Sequence, residues 1–155
     1  MVYISGATGT GKTRGVLEKN GYSNVYRVTD YLHPFDSYNG QPVIAFDEFR
    51  SSLRIKEMLL FCDIYPIELP SRYTNKYACY NKVYIISNWS LEKQYYEVQK
   101  DDKESWEASV YFGIGQNKLR ELTNSDNCPY VIWCGNKRLI KRRLFTEYLE
   151  KLYSI

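Results

Sequence analysis

The chain has 155 residues, 44% hydrophobic and 25% charged, with 16 tyrosines and a formal net charge of +3. That length suits one domain with a real core, and no apolar run approaches the roughly 20 residues that span a bilayer. No leader pattern precedes the first strand-like run, and no cysteine pair has the spacing of a zinc knuckle or a redox motif.

Val2 to Ser5 reads as a strand. Gly6-Ala7-Thr8-Gly9-Thr10-Gly11-Lys12-Thr13 follows, and a helix from Lys12 to Asn20 comes next, with Gly21 placed to end it. Strand, glycine-rich turn, then helix is the context that makes Gly-x-x-x-x-Gly-Lys-Thr a phosphate-binding loop of Walker A form. Gly6, Gly9 and Gly11 are expected to free the backbone so that successive N–H groups form an anion-binding nest. The helix adds unpaired N–H groups and the positive end of its dipole. Lys12 would face the β- and γ-phosphates of ATP, and the Thr13 hydroxyl would ligate Mg²⁺.

Val25 to Val28 is a short β-rich run, and Asp30 to Gly40 is turn material that holds the single histidine, His33. Pro42 to Glu48 contains four consecutive apolar residues, as a buried parallel strand does. Asp47 and Glu48 sit at its carboxyl end, where open α/β sheets bind ligands. This is the form of Walker B: Asp47 for Mg²⁺, directly or through water, and Glu48 to polarise the attacking water.

Leu53 to Cys62 reads as an amphipathic helix, with Ile55, Met58, Leu59 and Cys62 on one face, and Asp63 to Pro66 breaks it. Ile67–Leu69 and Tyr77–Cys79 could be the arms of a hairpin tipped by Pro70 to Lys76. Arg72, Tyr73 and Lys76 there suit single-stranded nucleic acid; a merely solvated tip fits equally well. Lys82 to Ser87 is another buried-strand run. It ends at Asn88, which can hold the attacking water or sense the γ-phosphate, or simply cap a turn.

Beyond Trp89 the pattern weakens. Leu91 to Lys100 reads as a short helix, Lys100 to Glu104 as a charged exposed connection, and Trp106 to Leu122 as helix formers interrupted by Gly113 and Gly115. Tyr130 to Cys134 reads as a last strand, Gly135-Asn136 as a turn, and Arg138 to Tyr153 as an amphipathic helix. The tail from Gly135 holds six basic residues against two acidic, and the rest of the chain 15 against 16. That permits a polyanionic partner, although a solvated face fits as well. The division expected is a core over 1–134 and a basic C-terminal helix over 135–155 packed on or near it. Cys62, Cys79, Cys128 and Cys134 read as scattered reduced thiols.

With these motifs in order, the sequence resembles the helicase domain of replication initiator (Rep) proteins of small circular single-stranded-DNA viruses and related rolling-circle plasmids. That domain belongs to superfamily 3, a branch of the AAA+ ATPases. The resemblance rests on Gly6 to Thr13 as Walker A, Ile44 to Glu48 as Walker B, Tyr65-Pro66 through Arg72 as motif B′, and Ile85 to Asn88 as motif C. It implies an α/β P-loop NTPase fold with a mostly parallel central sheet flanked by helices and a protruding β-hairpin. It also implies ATP and Mg²⁺ as cofactors, Lys12, Glu48 and Asn88 in catalysis, and homo-hexameric rings with no membrane partner. Arg72 and Lys76 would grip single-stranded DNA in preference to RNA. The place of action would be the cytoplasm for a plasmid-borne protein and the host nucleus for a eukaryotic virus.

Two departures from the Rep pattern stand out. Only the strand precedes Walker A, so a truncated Rep or a separately encoded helicase piece is expected, without the nicking domain. The arginine finger is also unassigned among Arg120, Arg138 and Arg142. A viral-type RNA helicase, or an ATP- and DNA-binding module that hydrolyses little, are the rival readings.

Overall fold

Four short apolar runs pair side by side, all parallel, in the order β1-β6-β3-β2: β1 is Val2–Ser5, β2 Val25–Val28, β3 Val43–Phe46 and β6 Lys82–Ser87. The inner strands β3 and β6 are buried along nearly their whole length, whereas β1 and β2 at the edges are only partly covered, the pattern expected of a parallel sheet covered on both faces. The computed structural model describes residues 1–63, 65–98, 100–124, 128–135 and 137–153, which form two compact units, Met1–Gln116 and Asn117–Ile155.

Alternation along the strands assigns the two faces of the sheet in the first unit. Val25, Val43, Ala45, Tyr84 and Ile86 pack with Val16 of α1 (Lys12–Asn20). Val28, Ile44, Phe46, Val83 and Ile85 face a larger core built from Phe35, Phe49, Met58 and Trp106. That second core is covered by α2 (Ile55–Phe61) and α3 (Lys100–Phe112). The two-stranded hairpin β4 (Glu68–Leu69) and β5 (Lys76–Tyr77) is anchored by the fully buried Leu69.

Several elements differ from the sequence expectation. The charged stretch at 100–104 is the first turn of α3 rather than a connection, because Trp106, fully buried, and Val110 anchor the helix in the core. Leu91–Lys93 forms only a single 3-10 turn: Gln94 is already extended, and Tyr95 follows with φ of 53°. The hairpin arms pair Glu68 with Tyr77 and Leu69 with Lys76, and the Ala78 N–H donates across to Ile67 O at 2.9 Å; Cys79 turns away, its N–H donating to the Tyr38 hydroxyl. Ile64 and Asn136, in an expected helix break and an expected turn, lie outside the described residues.

The second unit contains α4 (Gln116–Leu122, from its second residue), β7 (Val131–Cys134), β8 (Lys137–Ile140) and α5 (Arg142–Tyr153). It therefore includes β7, which the sequence reading assigned to the core, and β7 pairs antiparallel with β8. The expected helix from Arg138 is instead strand through Ile140, with the helix proper starting at Arg142. Tyr130 lies at the heart of this unit, its ring 4.9 Å from Phe145 and 4.8 Å from Tyr148. Among the described residues no helix is long and apolar enough to cross a membrane.

Candidate functional site

Parallel pairing aligns the strand ends. Ser5 is level with Ser87, and Phe46 with Ile85 and Val28. The segments that leave β1, β3, β6 and β2 therefore emerge along one carboxyl edge. The phosphate loop, Asp47-Glu48, Asn88 and Tyr31 all come from there.

Gly9 and Gly11 have φ of 83° and 78°, a conformation that a Cβ disfavours. Gly6 is not in that region, and a Cβ there would meet only ordinary contacts; the expected backbone freedom is confined to the later two glycines. Gly11 caps α1 with no side-chain hydrogen bond, and no acidic residue stands in the first turn, which leaves the helix's positive end uncompensated by side chains. Lys12 folds over the loop: its Nζ donates to Gly6 O at 2.9 Å and to Ala7 O at 2.7 Å. Ala7, Thr8, Gly9, Thr10 and Gly11 are exposed, so the loop is an open cradle.

Asp47 is 2% exposed and its carboxylate is fully engaged. Thr13 Oγ1 donates to Oδ1 at 2.8 Å, the Glu48 N–H donates to the same oxygen at 3.0 Å, and Arg27 Nε donates to Oδ2 at 2.5 Å. Burying a carboxylate is costly unless it is paired, and Arg27 supplies the charge. The Tyr31 hydroxyl donates to Asp47 O at 2.7 Å. Burial, and then the negative charges of Asp47 and Glu48, push that phenol well above the ordinary tyrosine range, so it stays a donor.

Thr13 and Asp47 are thus neighbours, as Mg²⁺ ligation requires. The donors are hard oxygens, which suit that ion. Among the described residues no cluster of three or more His, Cys, Asp or Glu could hold a metal alone, and a Mg²⁺ that arrives with a phosphate needs only one or two protein ligands.

Glu48 and Asn88 approach each other through Arg50. Arg50 Nε donates to Asn88 Oδ1 at 3.0 Å, and its guanidinium lies 3.9 Å from Glu48 Oε2. Glu48 and Ser51 have φ of 51° and 55°, each costing roughly 1–2 kcal/mol for a residue with a Cβ. A buried network holds this loop. Gln94 Nε2 donates to Tyr3 OH, Phe49 O and Ser87 Oγ, the Ser51 Oγ donates to Gln94 Oε1, and Ser87 Oγ donates to Phe49 O.

The hairpin residues lie apart from this edge chemistry. Arg72 donates through its backbone N–H and Nε to the Asp36 carboxylate, joined there by Ser71 Oγ. Lys76 Nζ donates to Asp36 O and Tyr38 O. Tyr73, at the tip, is 88% exposed, with the Arg72 guanidinium 5.8 Å from its ring centre.

Sequence reasoning missed Arg27, Arg50, Tyr31 and Gln94. Arg27 carried a signal: it shares strand parity with Val25 and pairs in register with Ala45, which puts it on the α1 face beside Thr13. The other three act through loop geometry that no periodicity encodes. Of the finger candidates, Arg138 donates to Thr123 Oγ1 at 2.6 Å and Arg120 O at 3.0 Å, inside the second unit.

This arrangement, a parallel sheet with a phosphate loop after one strand and a buried aspartate after another, is compatible with a P-loop NTPase. The chain belongs to the RNA helicase family, a superfamily 3 helicase domain, whose model matches residues 2–88, more than half of the chain. Over 50 residues the chain is also 44% identical to the excisionase from transposon Tn916 of Streptococcus agalactiae serotype V, a match covering 32% of this chain and 75% of that protein. The chain thus carries an excisionase-like segment as well.

Proposed function

We propose that this chain is an ATP-dependent helicase of the Rep-like replication type, which couples ATP hydrolysis to movement along single-stranded DNA. The observation that carries the reading is the meeting of Thr13 Oγ1 and Asp47 Oδ1 at 2.8 Å on the edge that also presents Lys12, Glu48 and Asn88. Gly6 to Thr13 wrap the triphosphate, and Lys12 exchanges its loop carbonyls for phosphate oxygens. Thr13 and Asp47 hold Mg²⁺. When bound, that ion neutralises charge on the β- and γ-phosphates.

Glu48 orients a water in line with the γ-phosphorus and takes up its proton as the P–O bond to the β-phosphate breaks. Asn88, steadied by Arg50, fixes the position of that water. Arg27 balances the buried charge of Asp47. The open loop supports a site completed by a neighbouring subunit, as in a homo-hexameric ring. Tyr73 with Arg72 and Lys76 supports contact with one nucleic-acid strand, and the likeness to a transposon excisionase favours DNA over RNA.

Steady-state ATPase assays test the site. Lys12→Ala loses nucleotide binding and turnover, whereas Glu48→Gln keeps binding and loses turnover. Wild-type turnover in either variant would remove the site from consideration. Forked DNA and RNA substrates decide the polymer: the reading expects DNA unwinding, and unwinding of RNA alone makes the chain an RNA helicase.

A further inference from the structure

In phosphoryl transfer, negative charge spreads over the γ-phosphoryl oxygens, and in several classes of NTPase an arginine supplied in cis or in trans stabilises it. Arg120, Arg138 and Arg142, the arginines that the sequence offers for that task, all belong to the second unit. In the first unit, Arg14 is paired with Glu18, Arg50 with Asn88 and Glu48, and Arg72 with Asp36.

Arg27 is placed differently. It is the third residue of β2, an edge strand, and pairs in register with Ala45. Its side chain leaves the sheet on the face covered by α1, whose second residue is Thr13. Arg27 Nε donates to Asp47 Oδ2 at 2.5 Å, while Thr13 Oγ1 donates to Oδ1 at 2.8 Å. A single carboxylate therefore separates the guanidinium from the hydroxyl assigned to Mg²⁺.

Arginine–carboxylate pairs are frequently bidentate, with two parallel N–H···O bonds. Arg27 engages Asp47 through Nε alone. Neither of its Nη nitrogens has a hydrogen-bond partner among the described residues, and 49% of the side chain is open. Four N–H donors of a planar fork are thus held beside the Thr13–Asp47 pair with nothing to bind. Asp47 does not depend on Arg27 for its position. Its N–H donates to Val28 O at 3.0 Å, its carbonyl accepts from Tyr31, and Oδ1 accepts from Thr13 and the Glu48 N–H. The buried charge does require a cation. A lysine would meet that need, but it has no fixed fork with a second arm to offer.

We propose that Arg27 is a catalytic residue supplied in cis: with Nε kept on Asp47, its Nη nitrogens donate to oxygens of the γ-phosphate and stabilise the charge that develops there. This rests on the ATPase reading above. The oxygen of the attacking water bonds to the γ-phosphorus, its proton passes to Glu48, and the bridging oxygen leaves on ADP with the electron pair of the broken bond. Arg27 keeps its own protons throughout. The charge is then met within one chain, whatever a neighbouring subunit adds around the open loop.

Arg27→Ala leaves a buried carboxylate unpaired, so Arg27→Lys, which keeps a cation there, carries the test. Both variants are compared with wild type in the full chain by steady-state ATPase assays and by calorimetric titration with Mg-ADP, alone and with aluminium fluoride, a mimic of the transferring phosphoryl group. In Arg27→Lys, kcat falls at least about 100-fold, while Mg-ADP affinity stays within about threefold of wild type. The extra affinity that wild type gains from aluminium fluoride is lost in both variants. Mg-ADP affinity that falls as far as kcat in Arg27→Lys, or an undiminished gain from aluminium fluoride, makes Arg27 a charge partner only and overturns the proposal. Wild-type turnover that Arg27→Lys leaves unaltered removes this proposal alone. A wild-type chain that neither binds Mg-ADP nor turns over ATP removes the ATPase reading and this proposal together.

Discussion

Replacing Gln94 with leucine isolates the network behind the Glu48 loop. Gln94 is fully buried; its two Nε2 hydrogens are shared among three acceptors at 2.8, 3.1 and 3.1 Å, and its Oε1 accepts one bond at 2.9 Å. They join β1 through Tyr3, β6 through Ser87, and the Phe49–Ser51 turn, whose left-handed Ser51 would otherwise relax. Leucine keeps most of the volume and removes all four contacts. At roughly 0.5–1.5 kcal/mol per bond, offset in part by a more apolar side chain, the net loss is about 2–3 kcal/mol. At about 2–4 °C per kcal/mol for a chain of this size, the melting temperature falls by about 5–10 °C. Differential scanning calorimetry reads that shift. In parallel, kcat falls because Glu48 and Arg50 lose their fixed backbone, while nucleotide affinity at the phosphate loop stays within about twofold of wild type. A variant that melts within a degree of wild type, or that loses nucleotide binding along with kcat, would show that the network does not act on this loop.

Other outcomes can be read more quickly. Asp36→Asn frees the hairpin tip, so limited trypsin treatment cuts after Arg72 faster than in wild type; an unchanged rate removes the tether. Hydrogen bonding from the Arg72 N–H, and then from its side chain, holds the Asp36 carboxyl below the usual aspartate range. The tether's contribution is therefore present above the ordinary aspartate value, about 3.9, and is lost as pH falls through the lower folded value. An NMR titration that puts the Asp36 midpoint at or above the ordinary value contradicts this. Cys79 and Cys134 are exposed, Cys62 and Cys128 are buried, and burial pushes the Cys62 thiol up to about 12. A thiol reagent at pH 8 should modify two cysteines rapidly and the other two only in denaturant, and prompt modification of more than two in the native protein would contradict the burial.

The early part of the chain was readable because each element carries its own local signal. Val2–Ser5, Lys12–Asn20 and Val25–Val28 begin and end where the apolar runs and glycines indicated. Lys12, Thr13, Asp47, Glu48 and Asn88 could be assigned to one edge because each follows a run that only a buried parallel strand explains. The stretch from Leu91 to Leu122 was opaque for the opposite reason. Its helix opens on charged residues and is fixed by one tryptophan, Trp106, whose ring meets Tyr95 and, far from it in sequence, Phe49. Arg138–Ile140 reads as helix in the sequence because its spacing continues that of α5; cross-strand pairing with β7 overrides it. Gln94 is one of two glutamines in a mixed polar and aromatic stretch, and only the folded chain gives it four partners.

The strand order β1-β6-β3-β2 has a consequence for how this protein is made. The strand that joins β1 to β3 is β6, and it begins only at Lys82. A nascent chain shorter than that can pair β2 with β3 but has nothing to bridge them to β1. Until β6 leaves the ribosome, the apolar flanks of β1 and β3 remain open to other chains, a known route to aggregation during synthesis. Slow translation before β6 has emerged from the ribosome should therefore lower soluble yield, while a pause placed once it has emerged should be harmless.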